Sequence, residues 1–196
     1  MRIGLVAGLC LAVLSCTYGV TGIRQQEFAY SGIKNITIPD SVTSIGDWAF
    51  HYCTNLESIT IPDSVTNIGI LLFYGCTSLQ NITIGNGVTS IGERAFDDLR
   101  ALKSITIGNR VTSIGHKAFS HCTSLQHFAI PDSVTNIGTW AFYGCTGLQN
   151  ITLGNGVTRI GDNVFSGCTN VKNMRLPRKL LPLIRKDIAN CTFTLY

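Results

Sequence analysis

Charged side chains are scarce in this chain. Lys, Arg, Asp and Glu together make up 13% of its 196 residues, about half the share usual for a soluble domain. A charged disordered chain and a long charged coiled coil both need far more, so neither class fits. Positive charge is missing from the body as well. The formal net charge is +4, yet residues 3–171 hold 8 Lys+Arg against 10 Asp+Glu, near −2. The surplus cations Lys172, Arg175, Arg178, Lys179, Arg185 and Lys186 gather close to the C-terminus. A nucleic-acid binder carries a basic face along its main body, so nucleic acid is not an expected partner.

Catalytic signatures are missing too. The chain contains no G-x-S-x-G, H-E-x-x-H, G-x-x-x-x-G-K-[ST] or G-x-G-x-x-G, the patterns that place nucleophiles, zinc ligands or phosphate-binding amides. No C-x2-C pair is present to suggest zinc. His51, His116, His121 and His127 do not recur at one repeat position beside a carboxylate or serine. His121 beside Cys122 could be read as a Cys/His nucleophile pair, or as a surface histidine next to a structural thiol. The second reading is the expectation. No cofactor, metal or catalytic residue is assigned, and the chain is not expected to be an enzyme.

What the chain does have begins at its N-terminus. Ile3–Val20 is uncharged and mostly apolar after Met1 and Arg2, the layout of a secretory signal. About 18 apolar residues can also span a bilayer, but Ser15, Thr17, Tyr18 and Gly19 weaken the second half of the run. A cleaved signal over residues 1–22 is therefore expected, with an exported, secreted or cell-surface product. Ala12-Val13-Leu14-Ser15-Cys16 is similar to a lipobox, which makes Cys16 a lipidation candidate. The plain alternative leaves Cys16 as one more apolar position in the signal. A lipid anchor there is the only membrane attachment expected.

A strict repeat organises the rest. The pair Ile-Gly recurs at Ile45, Ile68, Ile91, Ile114, Ile137 and Ile160, every step 23 residues long. The same step carries Phe50, Phe73, Phe96, Phe119, Phe142 and Phe165. From Leu56 one unit reads L-x-x-I-T-I-P-D-S-V-T-x-I-G-x-x-x-F-x-x-C-T-x. A fixed period of about 20–29 residues headed by L-x-x-I-x-I marks a leucine-rich solenoid. The wording IPDSVTSIGDWAFHYCTNLESITIPDSVTNIG resembles the BspA-like leucine-rich repeats of bacterial and some protist surface proteins. The resemblance runs from residue 28 to about 192.

The expected fold is thus a repeat solenoid: a right-handed leucine-rich-repeat solenoid with a parallel β-sheet on one face and short strands and helical turns on the other. About six units fill residues 28–171, and residues 172–196 form an atypical C-terminal capping unit. In Leu56-Glu57-Ser58-Ile59-Thr60-Ile61 a period of two sends Ser58 and Thr60 outward. Pro62-Asp63-Ser64 ends the strand, and a brief helical turn around Trp48-Ala49-Phe50 is expected to drop the Phe into the core. In the last unit Leu176, Leu180, Leu183 and Ile188 fall at or near inward positions. Cys53, Cys76, Cys122, Cys145, Cys168 and Cys191 share one repeat position, where Leu99 is the exception. A leucine standing in for cysteine indicates buried, free thiols, not disulfides.

The outward strand positions form two columns, and these are the candidate binding face: Ser58, Thr60, Asn81, Thr83, Ser104, Thr106, His127, Asn150 and Thr152. Solenoids bind partners on such extended faces, although threonine ladders also simply suit an exposed sheet. Asn35, Asn81, Asn150 and Asn190 begin N-x-T sequons, which in a eukaryotic secretory pathway would place glycans on that face. The resemblance implies a non-catalytic surface or secreted module that adheres to protein partners, such as host, matrix or other surface proteins. The alternative class is a structural or antigenic repeat array without a defined ligand.

Overall fold

A computed structural model describes residues 12–13, 20–188 and 191–196. The chain winds into a parallel β-solenoid of about seven turns. Two incomplete coils come first: β1 (Ala12–Val13), β2 (Gly22–Ile23), β3 (Ile36–Thr37) and β4 (Ser44–Ile45). Five full coils follow, each with a long strand and a short one: β5 (Ser58–Ile61) and β6 (Asn67–Ile68), β7 (Asn81–Ile84) and β8 (Ser90–Ile91), β9 (Ser104–Thr106) and β10 (Ser113–Ile114), β11 (His127–Ile130) and β12 (Asn136–Ile137), β13 (Asn150–Leu153) and β14 (Arg159–Ile160). β15 (Asn173–Leu176) leads through a 3-10 turn, Arg178–Leu180, into the four-residue helix α1 (Leu181–Ile184) and then β16 (Thr192–Leu195).

Every strand pair is parallel and in register with the repeat. Ile59 faces Ile82 and Ile82 faces Ile105, 23 residues on each time. Ile23 faces Ile45 at 22, because the first unit is one residue short. Alternation decides burial as the sequence indicates: in β5, β7 and β11 the second and fourth residues are buried and the others exposed. The apolar residues of one coil cannot cover themselves, so each coil is stabilised by its neighbours.

The third side of the coil differs from expectation. Around Trp48-Ala49-Phe50 the backbone makes turns, not a helical turn. Two positions per coil adopt positive φ. One column is Gln26, Trp48, Leu71, Arg94, Lys117, Trp140 and Asn163; the other is Tyr30, Tyr52, Gly75, Asp98, His121, Gly144 and Gly167. This kinked path aims N–H groups along the solenoid. Trp48 N donates to Ile70 O (3.0 Å), Phe50 N to Leu72 O (3.1 Å) and Tyr52 N to Tyr74 O (2.9 Å), and the scheme repeats coil by coil. A helical turn would have spent those donors within its own coil. Bonding between coils is what left-handed residues, mostly non-glycine here, make available at a modest conformational cost.

The core is built round a phenylalanine stack. Phe28, Phe50, Phe73, Phe96, Phe119, Phe142 and Phe165 lie ring on ring, with centroids 5.1–5.6 Å apart and planes within 6–15° of parallel. From Phe50 to Phe165 all are fully buried. Each contributes roughly 1.5–3 kcal/mol through burial before entropy is subtracted.

The long-strand side is not one continuous sheet. β5-β7-β9 and β11-β13-β15-β16 are separate, and no ladder joins β9 to β11, whereas β6-β8-β10-β12-β14 runs unbroken on the short-strand side. Phe128 occupies the β11 position that holds Ile59, Ile82 and Ile105 in the preceding coils. Its ring is wedged edge-on against Phe119 and Phe142, at 5.1 and 4.7 Å. The extra ring volume parts the two strands, and Ile105 and Ile107 stay only partly buried.

At the C-terminal end Leu176, Leu180, Ile184 and Ile188 are buried, while Leu183 is 49% exposed. The inward position falls on Ile184, not Leu183, because α1 gives the segment a spacing of four and not the strand's two. Asp187 Oδ2 accepts the Phe165 N–H at 3.2 Å, doing the work that the next coil's carbonyl does elsewhere in the stack. Partial burial raises the Asp187 pKa.

Candidate functional site

The strand face carries the candidate columns where alternation places them. Ser58, Thr60, Asn81, Thr83, Ser104, Thr106, His127 and Thr152 are exposed and Asn150 is half-exposed. The parallel register brings Ser58, Asn81 and Ser104 side by side, and Thr60, Thr83 and Thr106 beside them. His127 and Asn150 form a separate group with Thr152 beyond the β9–β11 parting. Hydrogen bonds run along the columns: Ser104 Oγ donates to Asn81 Oδ1 (2.7 Å), Asn150 Nδ2 to His127 Nδ1 (2.9 Å) and Asn173 Nδ2 to Asn150 Oδ1 (2.8 Å). The face is a flat, polar, self-bonded surface. Cys16 and Asn190 lie outside the described residues.

The cysteine ladder belongs to the interior. Cys53, Cys76, Cys122, Cys145 and Cys168 are free and buried, and Cys191 is free and half-buried. Each buried thiol donates to the carbonyl of a phenylalanine in the preceding coil, as Cys76 does to Phe50 O (3.0 Å) and Cys145 to Phe119 O (3.0 Å). That donor explains why cysteine recurs where size alone would admit alanine. Ser31 fills the same position in the first coil, 3.3 Å from Cys53 Sγ. Burial raises the Cys76 and Cys145 pKa values, so these thiols are poor nucleophiles. Cys53 alone among the buried thiols shifts down, through its hydrogen bond with Cys76. Among the described residues no group of three or more His, Cys, Asp or Glu could hold a metal.

The most chemically varied place is on the turn side. Tyr74, Arg94, Asp97, Asp98, Arg100, Lys117, Ser120 and His121 line an open depression of about 250 Å³. They come from three successive coils, brought together by the left-handed turns. Asp97 is buried, at 2% exposure. Its Oδ2 accepts from Arg94 Nε at 2.7 Å, and its Oδ1 lies 3.6 Å from His121 Nδ1. Arg100 Nε meets Asp98 Oδ1 at 2.8 Å. These bonds to carboxylates raise the pKa values of both arginines. Arg94 lies 4.8 Å over the Tyr74 ring and Lys117 4.7 Å over that of Trp140, the cation–π arrangement. Ser120 Oγ is 2.9 Å from His121 Nδ1. Serine and aspartate thus both approach the same ring nitrogen, whereas nucleophile activation needs them on opposite nitrogens. Reading the sequence for motifs missed this cluster. Its signal is the break of Asp97-Asp98-Leu99-Arg100 from the neighbouring Tyr74-Gly75-Cys76-Thr77 and Ser120-His121-Cys122-Thr123.

Further along the turn side, aromatic rings stand in the open. Tyr30 and Tyr52 stack at 5.5 Å, and His51 stacks on Tyr74 at 5.3 Å. Burial holds the His51 pKa below its usual 6.5, and its Nδ1 is buried without a partner. Near the C-terminus, Arg175 lies 5.0 Å over the Tyr196 ring, whose hydroxyl donates to Leu153 O.

Comparison with known proteins gives a consistent picture. The profile described as BspA type Leucine rich repeat region matches residues 21–145 and 89–194, in six copies. A leucine-rich repeat protein from Bacteroides ovatus shares 36% identity and a TM-score of 0.80, over 88% of this chain and 44% of its own. A leucine rich cell surface protein from Faecalibacterium prausnitzii shares 28% identity and a TM-score of 0.65, over 84% and 54%. The T. pallidum Leucine Rich Repeat protein shares 26% identity and a TM-score of 0.64, over 90% and 88%. This chain therefore spans only about half of the first two. Among curated proteins, none matches.

Proposed function

Because the chain belongs to the BspA-type leucine-rich repeat family, we propose that it is a surface-displayed, non-catalytic module that binds protein partners through the solvent face of its long strands. The observation that carries this reading is the paired column of Ser58, Asn81 and Ser104 with Thr60, Thr83 and Thr106, exposed and in register over three coils. A repeating surface of small polar groups offers many equivalent contacts, the means by which solenoids engage extended partners. Surface display is supported by the name of the F. prausnitzii relative, a cell surface protein. Export through the residue 1–22 signal, with or without lipid at Cys16, is part of the same proposal, as is residue 172–196 as the end cap. The partners proposed are host, matrix or other cell-surface proteins.

The test is binding of the repeat region to immobilised matrix and cell-surface proteins, with Thr60→Glu, Thr83→Glu and Thr106→Glu combined as the control. Three buried-in-contact carboxylates in one column would cost several kcal/mol of any interface formed there. Saturable binding that the triple variant abolishes is the expected result. Binding to none of the partners would favour a structural or antigenic array without its own ligand.

A further inference from the structure

The ionic depression on the turn side lies on a different side of the coil from the strand columns and stands independently of the reading above. We propose that it is an oxyanion site that takes the carboxylate of an acidic side chain presented by a protein partner.

Two arginines there are held ready. Arg94 and Arg100 are each gripped through Nε by one aspartate, at 2.7 and 2.8 Å, and no other carboxylate among the described residues pairs with either. Their terminal nitrogens remain for a further acceptor. Asp97 is buried and Arg100 lies in the same open depression, so one guanidinium is anchored from below while the other is free to close on a ligand. Lys117 adds a third cation with no carboxylate within ion-pair distance among the described residues. A planar guanidinium fork matches the two oxygens of a carboxylate, and orienting it beforehand removes part of the entropy lost on binding.

The surroundings choose among anions. A neutral sugar needs free carboxylates for its hydroxyls and an open aromatic face. Here both aspartates are taken by arginine, and the Tyr74 face is covered by Arg94 at 4.8 Å. A polysulfated chain needs a run of spare cations along its path. The body of this protein is near −2, and the depression sets three cations against two carboxylates, an excess suited to one carboxylate. A single acidic side chain matches that balance, and its affinity should fall with salt.

The probe is a fluorescein-labelled Glu-Gly repeat peptide titrated with the intact protein and followed by anisotropy, beside its Gln-Gly counterpart and a heparin-derived oligosaccharide. Wild type should saturate with the Glu peptide alone. Arg100→Gln, at a side chain 69% exposed, should weaken it by about tenfold or more at an unchanged melting temperature, and Lys117→Gln should weaken it by less. Arg100→Lys should recover part of the loss. The strand-face triple variant should bind the peptide like wild type, so this site and the strand-face reading can fail separately. No saturation by roughly 1 mM, equal binding by wild type and Arg100→Gln, or Arg100-dependent binding of the oligosaccharide with none of the peptide would each overturn the proposal.

Discussion

Truncating Phe119 to alanine probes the central stack where it is most tightly held. Phe119 is fully buried and touches three rings: Phe96 at 5.1 Å, Phe142 at 5.2 Å and Phe128 edge-on at 5.1 Å. Loss of a buried Phe side chain costs about 3–5 kcal/mol, and each aromatic pair adds about 0.5–1.5 kcal/mol beyond its area. The flanking backbone is tied to both neighbouring coils, Phe96 N to Ala118 O and Phe119 N to Ala141 O, each at 2.8 Å. The cavity can therefore collapse very little, and the cost falls in the upper part of the range, about 4–5 kcal/mol. At about 2–4 °C per kcal/mol for a chain of this size, the melting temperature should fall by roughly 10–20 °C. Phe28→Ala is the internal control, since Phe28 is at the end of the stack with one stacked partner and 8% exposure; about 2–3 kcal/mol is expected there. Repeat arrays unfold coil by coil when cooperativity weakens, so urea unfolding by circular dichroism and by tryptophan fluorescence should be compared. A loss below about 1 kcal/mol for Phe119→Ala, or equal losses for both variants, would refute the assignment of the stack as the shared core.

Further outcomes concern the thiols, the histidine and the C-terminal coil. Denatured, unreduced protein lacking residues 1–22 should react with a thiol reagent at six sites, Cys53, Cys76, Cys122, Cys145, Cys168 and Cys191; a count near zero would mean disulfides. In the native protein the half-buried Cys191 should react first, and rapid loss of all six would contradict burial of the ladder. His51, with its pKa lowered by burial, is deprotonated more readily folded than unfolded. Its stabilising contribution is complete above pH 6.5 and is lost as the pH falls through that value towards its own. His51→Gln should therefore flatten the fall in melting temperature between about pH 7.5 and 5.5, and an unchanged slope would exclude His51 as a contributor. Deleting residues 172–196 should lower the melting temperature and promote aggregation, because Ile151 and Leu153 of β13 lose their cover. A truncated protein that melts like the intact one would disprove the cap.

The strict period was legible in the amino-acid sequence because a solenoid buries the same position in every coil. Phe50 and Phe119 meet the same surroundings, and so do Ile59 and Ile82, so each column accepts only a narrow choice of residue. Alternation in the long strands was legible for the same reason, with Ser58 and Thr60 out and Ile59 and Ile61 in. What the sequence did not show depends on which side chains the winding sets side by side. Tyr74, Arg94, Lys117 and His121 are spread over 48 residues of chain (121 − 74 = 47 steps), yet line one depression because they stand on the turn side of three stacked coils. No local pattern connects them. The turn at Trp48 was misread as helical because its side chains suit a helix, while the demand of the next coil for backbone donors is a tertiary fact. Phe128 looked like one more apolar residue in a strand, and only its encounter with Phe119 and Phe142 made it a wedge between two sheets. Leu183 and Ile184 differ by one step in a segment whose period changes from two to nearly four, and packing against the coil beneath decided which is buried.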